Sequence, residues 1–301
     1  MKKIIPALLL ASVLFACKKD TNSDETPSAV SKVPVTFNIE NFQVSQQDMS
    51  ENGRVETDPT LAKFYKVFYM AFASDGKTAS YIEQDSTNSR FGTISDSLLP
   101  GTYTVAVGAH NRTVPSSFTY ITAKYASLAS AEFYNVWARN TADFFYKKVQ
   151  VTVNASGNQI TDLSLNRIIG NLKVDLKDAL PTSDPNGAIT VNVLGVPQSY
   201  MINPDTVANR YSDVPMDRTS QTTWEYNIFG SNRPLTVMLS WRDKVTGAFQ
   251  SKTITNVTVA PNKKTIISGY LYGVPTNVSA GDVFVRTNQN WSTDSTVISI
   301  N

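Results

Sequence analysis

Val33-Pro-Val-Thr-Phe-Asn-Ile39 and Val67-Phe-Tyr-Met-Ala-Phe-Ala73 decide the fold of this chain. In the first, Val33, Val35, Phe37 and Ile39 alternate with Pro34, Thr36 and Asn38. That period of two marks a strand with one face in a core and one in water. The second is apolar at every position, as a strand must be when both its faces are covered. Working outward, Pro100-Gly101 reads as a turn, and Tyr103, Val105, Val107 and Ala109 alternate after it. Val149, Val151 and Val153 form another strand, closed by Ser156-Gly157-Asn158. Later strands centre on Leu172/Val174/Leu176, Ile189/Val191/Val193, Trp224/Tyr226/Ile228 and Leu235/Val237/Leu239/Trp241, with two more near Ile254–Val259 and Thr265–Tyr272. Short strands punctuated by Gly, Pro and Asn predict an all-β protein built of β-sandwiches. One helix is expected around Tyr120 to Arg139, where Ala, Leu and Glu concentrate.

The 301 residues suggest two domains. An apolar fraction of 41% is enough for packed cores. The boundary is placed near Asn166, where Leu163-Ser-Leu-Asn-Arg167 runs straight into Ile168-Ile-Gly-Asn-Leu-Lys-Val174. With no Pro/Ser linker there, the domains are expected to be closely joined. The assigned segments are 33–165 for an amino-terminal sandwich and 166–301 for a carboxy-terminal one ending in a strand segment. A faint internal echo links Pro100-Gly-Thr-Tyr-Thr-Val-Ala-Val107 to Pro234-Leu-Thr-Val-Met-Leu-Ser-Trp241. Any strand after a proline turn has the same pattern.

Residues 1–16 read as a secretory signal. Lys2 and Lys3 supply its charge, and Ile4 to Phe15 form an apolar run too short to span a bilayer. The only cysteine follows, in Leu14-Phe-Ala-Cys17. This resembles a bacterial lipobox, in which the cysteine thiol is acylated and becomes the new amino terminus. Phe15 is bulkier than the usual lipobox residue. The alternative is an ordinary signal peptide with an incidental cysteine; the placing of the only thiol at that position favours the lipobox. Two or three acyl chains hold a protein on a membrane far longer than one. Residues 17–32 are polar and read as a flexible tether. Without Lys2 and Lys3, the 27 basic groups fall to 25, matching the 25 acidic ones. A neutral chain argues against nucleic acid as a partner.

Chemistry is sparse. One Cys and one His exclude an internal disulfide and the common zinc sites. A hydrolytic triad would need His110, yet no Gly-x-Ser-x-Gly elbow accompanies it, and it reads as a loop histidine. Nothing singles out a carboxylate pair for glycoside hydrolysis. Asp184-Pro-Asn-Gly187 is a turn, without the spaced ligands of a calcium loop. No cofactor and no enzyme activity are expected. Trp224 and Trp241 sit in strand patterns and are assigned to the core, whereas Trp137 and Trp291 lie in polar stretches. Those two are candidates for stacking on a glycan; packing is the simpler role.

Several segments together resemble the fimbrillin-like superfamily of Bacteroidota, with its fimbrial anchor and accessory lipoproteins. They are the lipobox with its tether, the run Leu165-Asn-Arg-Ile-Ile-Gly-Asn-Leu-Lys-Val-Asp-Leu176, and Thr255-Asn-Val-Thr-Val-Ala-Pro-Asn-Lys-Lys-Thr-Ile-Ile-Ser-Gly-Tyr-Leu-Tyr272. The resemblance implies two tandem transthyretin-like (Greek-key) β-sandwich domains, on a lipoprotein of the outer membrane facing the cell surface. It implies a role in building or anchoring fimbriae, with pilins or other surface proteins as partners. In pilins of the family, a protease cuts after an arginine, a first strand leaves, and a neighbour's terminal strand fills the groove. On that pattern Arg54, in Ser50-Glu-Asn-Gly-Arg-Val55, is the candidate processing site. The simpler reading is an ordinary surface arginine. Val283-Phe-Val-Arg286 and Val297-Ile-Ser-Ile-Asn301 read as edge strands or as a donor segment. Asp85-Ser86-Thr87, Asp96-Ser97-Leu98, Asp205-Thr206-Val207 and Asp294-Ser295-Thr296 resemble an O-glycosylation pattern of these bacteria. The alternative function is a surface lipoprotein that binds carbohydrate.

Overall fold

A computed structural model describes residues 30–40, 64–111, 120–121, 127–134, 142–156, 159–177, 189–242, 246–271, 283–288 and 295–300. Every regular element among them is a strand. The amino-terminal half supplies β1 (Val33–Glu40), β2 (Lys66–Ala73), β3 (Thr78–Asp85), β4 (Thr93–Leu98), β5 (Gly101–His110), β6 (Tyr120–Ile121), β7 (Glu132–Tyr134), β8 (Phe144–Val153), β9 (Gln159–Ser164) and β10 (Asn166–Arg167). There follow β11 (Ile169–Leu176), β12 (Thr190–Pro197), β13 (Ser199–Met201), β14 (Thr206–Val207), β15 (Tyr211–Pro215) and β16 (Asp217–Arg218). The last six are β17 (Thr223–Phe229), β18 (Ser231–Arg242), β19 (Phe249–Val259), β20 (Lys264–Gly269), β21 (Val283–Asn288) and β22 (Ser295–Ile300).

Two sandwiches emerge from the pairing. In the first, the sheet β4-β1-β9 faces the sheet β10-β8-β5-β2-β3. Val35, Phe37 and Ile39 from β1 meet Val67, Tyr69 and Ala71 from β2 and Val105 and Val107 from β5 in one buried cluster. In the second, β16-β17-β11-β20-β21-β22 faces β15-β12-β18-β19. Its core joins Leu172, Val174, Trp224 and Tyr226 to Val191, Val193, Val237 and Leu239, with Trp241 partly buried against them.

The two sandwiches repeat one topology. In each, the first strand pairs antiparallel on one side and parallel on the other: β1 with β4 and β9, β11 with β17 and β20. Each facing sheet runs in the order β8-β5-β2-β3 or β19-β18-β12-β15. The strands after Pro100 and around Pro234, β5 and β18, hold the same place in the two halves. The faint echo between them therefore falls on equivalent strands.

The stretch expected to be a helix is different. Its described residues form β6, a turn at Leu128–Ser130, and β7. Helix propensity is a weak prior, and tertiary pairing overrides it here. Glu132, Phe133 and Tyr134 pair antiparallel with Met201, Tyr200 and Ser199 of the second half, and Phe133 is fully buried.

The connection from β19 to β20 crosses close over the end of β17. A Cβ on Gly230 would lie 2.3 Å from the Pro261 nitrogen and 2.6 Å from its Cα. The Gly230 amide donates to the Ile168 carbonyl at 2.9 Å, so the backbone cannot move aside without losing that bond. Gly230→Ala is expected to destabilise the chain by about 3 kcal/mol, the upper end of overpacking costs, read as a drop in the urea midpoint.

Candidate functional site: the joint and the open sheet edges

No group of three His, Cys, Asp or Glu among the described residues could hold a metal ion. His110 ends β5, with its ring 5.7 Å from Phe68 and 6.2 Å from Phe144. It belongs to an aromatic surround. Cys17, Arg54, Trp137 and Trp291 lie outside the described residues, as do Asp184–Gly187 and Asp294. Ser86, Ser97 and Thr206 are exposed. Trp224 is buried in the second core. Among the described residues, sheet edges are the candidate surfaces, held in place by the joint between the sandwiches.

The joint is a third core. β7, from the first half, pairs with β13 from the second, giving a four-stranded sheet in the order β14-β13-β7-β6. It covers the outer face of the five-stranded sheet, where Phe68, Met70 and Phe72 of β2 meet Phe133, Tyr200, Ile202 and Phe229. The Phe133 ring lies 4.6 Å from Phe144 and 5.5 Å from Tyr146, and Tyr146 lies 5.6 Å from Tyr200. These are favourable aromatic spacings. Gly108 leaves room for this stack: a Cβ there would lie 2.9 Å from Phe133.

Polar ties brace and cross the same joint. Arg167 donates from Nε and Nη2 to the two carboxylate oxygens of Asp143 at 2.7 and 2.8 Å. Its Nη1 donates to Asn262 Oδ1 at 3.2 Å. The Ser199 hydroxyl donates to Glu132 at 2.7 Å, with Arg210 on the other carboxylate oxygen at 3.2 Å. The Tyr146 hydroxyl donates to Asp205 at 2.8 Å, and Lys148 pairs with the same carboxylate at 2.8 Å. Burial pushes the Asp143 carboxyl above its ordinary value, and the Arg167 guanidinium draws it back. Burial also pushes the Tyr200 hydroxyl up to about 12. None of these tying residues stands out in the sequence. The available signal is a charged residue set against an aromatic run, Asp143 before Phe144-Phe145-Tyr146 and Glu132 before Phe133-Tyr134.

The edges differ in how they are finished. Where β3 and β4 meet, the first sandwich is closed by buried Gln84. Its Nε2 donates to the Thr93 carbonyl at 2.8 Å, and its Oε1 accepts from the Gly92 amide at 2.9 Å. Where β8 and β9 meet, the two sheets separate. β10 pairs only with Phe145 and Tyr146, so Lys147–Val153 of β8 has no described strand beyond it. The outer edge of β9 is also unpaired among the described residues. Between them lies a groove of about 680 Å³, lined by residues including Lys147, Val149, Val151, Gln159, Thr161 and Leu163. Ile160 on its rim is 68% exposed. In the second sandwich, the hydroxyl of Thr265 on β20 donates to the Thr258 carbonyl of β19 at 2.7 Å, and β21 covers the outer edge of β20. Across the second sandwich, β19 starts at Phe249, 72% exposed beneath the guanidinium of Arg242 at 3.8 Å.

Arg167→Ala leaves a buried carboxylate without its partner, and is expected to cost about 3–5 kcal/mol. The double replacement Asp143→Leu with Arg167→Met removes both charges at similar volume and should recover most of that. Equal urea midpoints for the single and double variants would contradict this account of the joint.

No family model and no curated protein matches this sequence. Solved structures do match it. A proposed polysaccharide-binding protein from Bacteroides thetaiotaomicron aligns with a TM-score of 0.55 at 13% identity, over 90% of this chain and 98% of that one. The fimbrial anchor protein Mfa2 from Porphyromonas gingivalis aligns with a TM-score of 0.53 at 14% identity, over 84% of this chain and 97% of that one. A proposed adhesin from Bacteroides ovatus gives 0.51 at 11% identity, over 90% and 95%. At such identities the likeness shows the fold alone: this chain shares the all-β architecture of these Bacteroides and Porphyromonas proteins over most of its length.

Proposed function

We propose that this chain is a non-enzymatic lipoprotein of the outer membrane, displayed at the cell surface, that acts in assembling or anchoring a fimbria. Its contacts with pilins or other surface proteins run through strand edges. The observation that carries this reading is the match to a fimbrial anchor over 97% of that protein's length, on a chain whose sheets end in edges with no partner strand among the described residues. An exposed edge offers a row of backbone donors and acceptors, and a partner strand satisfies them while its alternate side chains set the register. Cys17 provides the membrane attachment in this reading. Processing at Arg54 would make the chain a cleaved subunit; an intact chain beginning at modified Cys17 is an anchor or accessory subunit.

The alternative is carbohydrate binding. It draws support from the Bacteroides thetaiotaomicron neighbour, described as a proposed polysaccharide-binding protein, and from Trp137 and Trp291 as stacking candidates.

The test is isolation of the chain from its native cells, with its amino terminus and SDS-resistant assemblies both recorded. Fimbrial subunits co-purifying with a chain that starts at acylated Cys17 are expected. Cys17→Ser is expected to move the protein out of the membrane fraction. A chain starting at Val55 would make it a cleaved subunit. A solitary chain without pilin partners that binds a glycan array would replace the assembly reading with the carbohydrate one.

A further inference from the structure

We infer that the outer edge of β9 is a docking site for one antiparallel β-strand of a partner protein, added with β1 still in place. The strand is apolar opposite Leu163 and Thr161 and carries a hydrogen-bond donor opposite Gln159. This deepens the assembly reading, on which it rests, by naming the edge and the chemistry of what it takes.

The internal duplication singles out this edge. β9 and β20 are equivalent: each is the last strand of its seven-strand repeat and lies parallel beside the first. On β20 the outer edge is taken by β21, antiparallel, from Lys264 opposite Asn288 to Gly269 opposite Val283. On β9 the same edge has no strand among the described residues. The two repeats also differ at the first inward position of these strands. Thr265 of β20 spends its hydroxyl on the Thr258 carbonyl and ties the mouth shut. The Oε1 of Gln159 on β9 is buried, and no donor among the described residues reaches it. A buried acceptor left unsatisfied costs free energy, so the site has a place ready for a donor.

The lining fixes the occupant. Val149 and Val151 of β8 and Leu163 of β9 give the groove an apolar floor. Lys147, Gln150 and Asp162 give it a polar rim. An extended strand with apolar residues at every second position fits that section, whereas a uniformly polar chain does not. Placing β21's own sequence on β9 in the register it takes on β20 sets Val283 opposite Leu163, Val285 opposite Thr161 and Thr287 opposite Gln159. Arg286 then falls opposite Ile160, diagonal to the Asp162 carboxylate, a favourable cross-strand charge arrangement. A partner strand with this pattern completes on the first sandwich what β21 completes on the second.

The test uses the full chain and a fluorescent peptide of sequence Val-Phe-Val-Arg-Thr-Asn, with a photocrosslinker at its arginine position in a second copy. Saturable binding is expected, with crosslinks confined to residues 159–164. N-methylation of alternate peptide amides should weaken binding about tenfold or more, since the backbone bonds are lost. Changing the peptide threonine to valine should weaken it about fivefold against the native chain. That discrimination should vanish against Gln159→Val, a cycle that isolates the one contact. No saturable binding, equal binding of the N-methylated peptide, or crosslinks only at another sheet edge would overturn the proposal. So would a chain already dimeric through β9 that the peptide cannot enter. These readings concern one edge in purified protein, so they fail or succeed separately from co-purification with pilins.

Discussion

A sheet covered on both faces must be apolar on both faces, and the first sandwich is organised around that requirement. Val67, Tyr69 and Ala71 of β2 point into the sandwich core, while Phe68, Met70 and Phe72 point outward into the joint. One uninterrupted apolar strand thus serves two cores. The joint exists because that outer face needs a cover, and β7 with β13 provide it. The polar ties around it follow in turn. Once Asp143 and Arg167 are buried, each needs the other, because an unpaired ion in such surroundings costs several kcal/mol. The pair lies within the amino-terminal half and carries little net stability by itself, but it holds Arg167 where its Nη1 reaches Asn262 of the second half.

Legibility in the sequence follows the strength of the apolar pattern. β1, β2, β5, β11, β17 and β18 stand out because burial imposes strict alternation or a continuous apolar run. β3 and β4 do not. Thr-Ala-Ser-Tyr-Ile-Glu-Gln-Asp and Thr-Ile-Ser-Asp-Ser-Leu carry too few apolar residues to announce a strand. β9 is the most telling omission. Its Gln159 and Thr161 take inward positions with polar side chains, so its alternation is muted. The positions that hide the strand are the same ones that leave its groove underfilled. β7 is concealed for the opposite reason, since Ala, Leu and Glu nearby favour a helix and only pairing across the joint makes it a strand.

The attachment, processing and stacking candidates named from sequence lie outside the described residues, and the surfaces that emerge from the fold are of another kind. Cys17, Arg54, Trp137 and Trp291 are features a linear reading can isolate: a lone thiol, a lone loop arginine, tryptophans in polar stretches. Sheet edges cannot be isolated that way. Whether a strand has a neighbour depends on the whole topology, and the decisive comparison, β9 against β20, requires knowing that the two halves repeat.

The parallel pairing of β1 with β9 also sets how this chain meets mechanical force. β1 enters at Val33 and runs alongside β9 in register from Val35 opposite Gln159 to Glu40 opposite Ser164. The chain leaves the far end of β9 toward the second sandwich. A pull on the amino terminus, resisted from beyond Ser164, therefore drags the two strands in opposite directions along their common axis. All the rungs of the ladder are stretched together, in shear. In a hairpin pulled from its open end the rungs would break in sequence, as the teeth of a zipper separate. A protein hauled outward by its distal half while held at its amino terminus resists with the whole length of β1 at once.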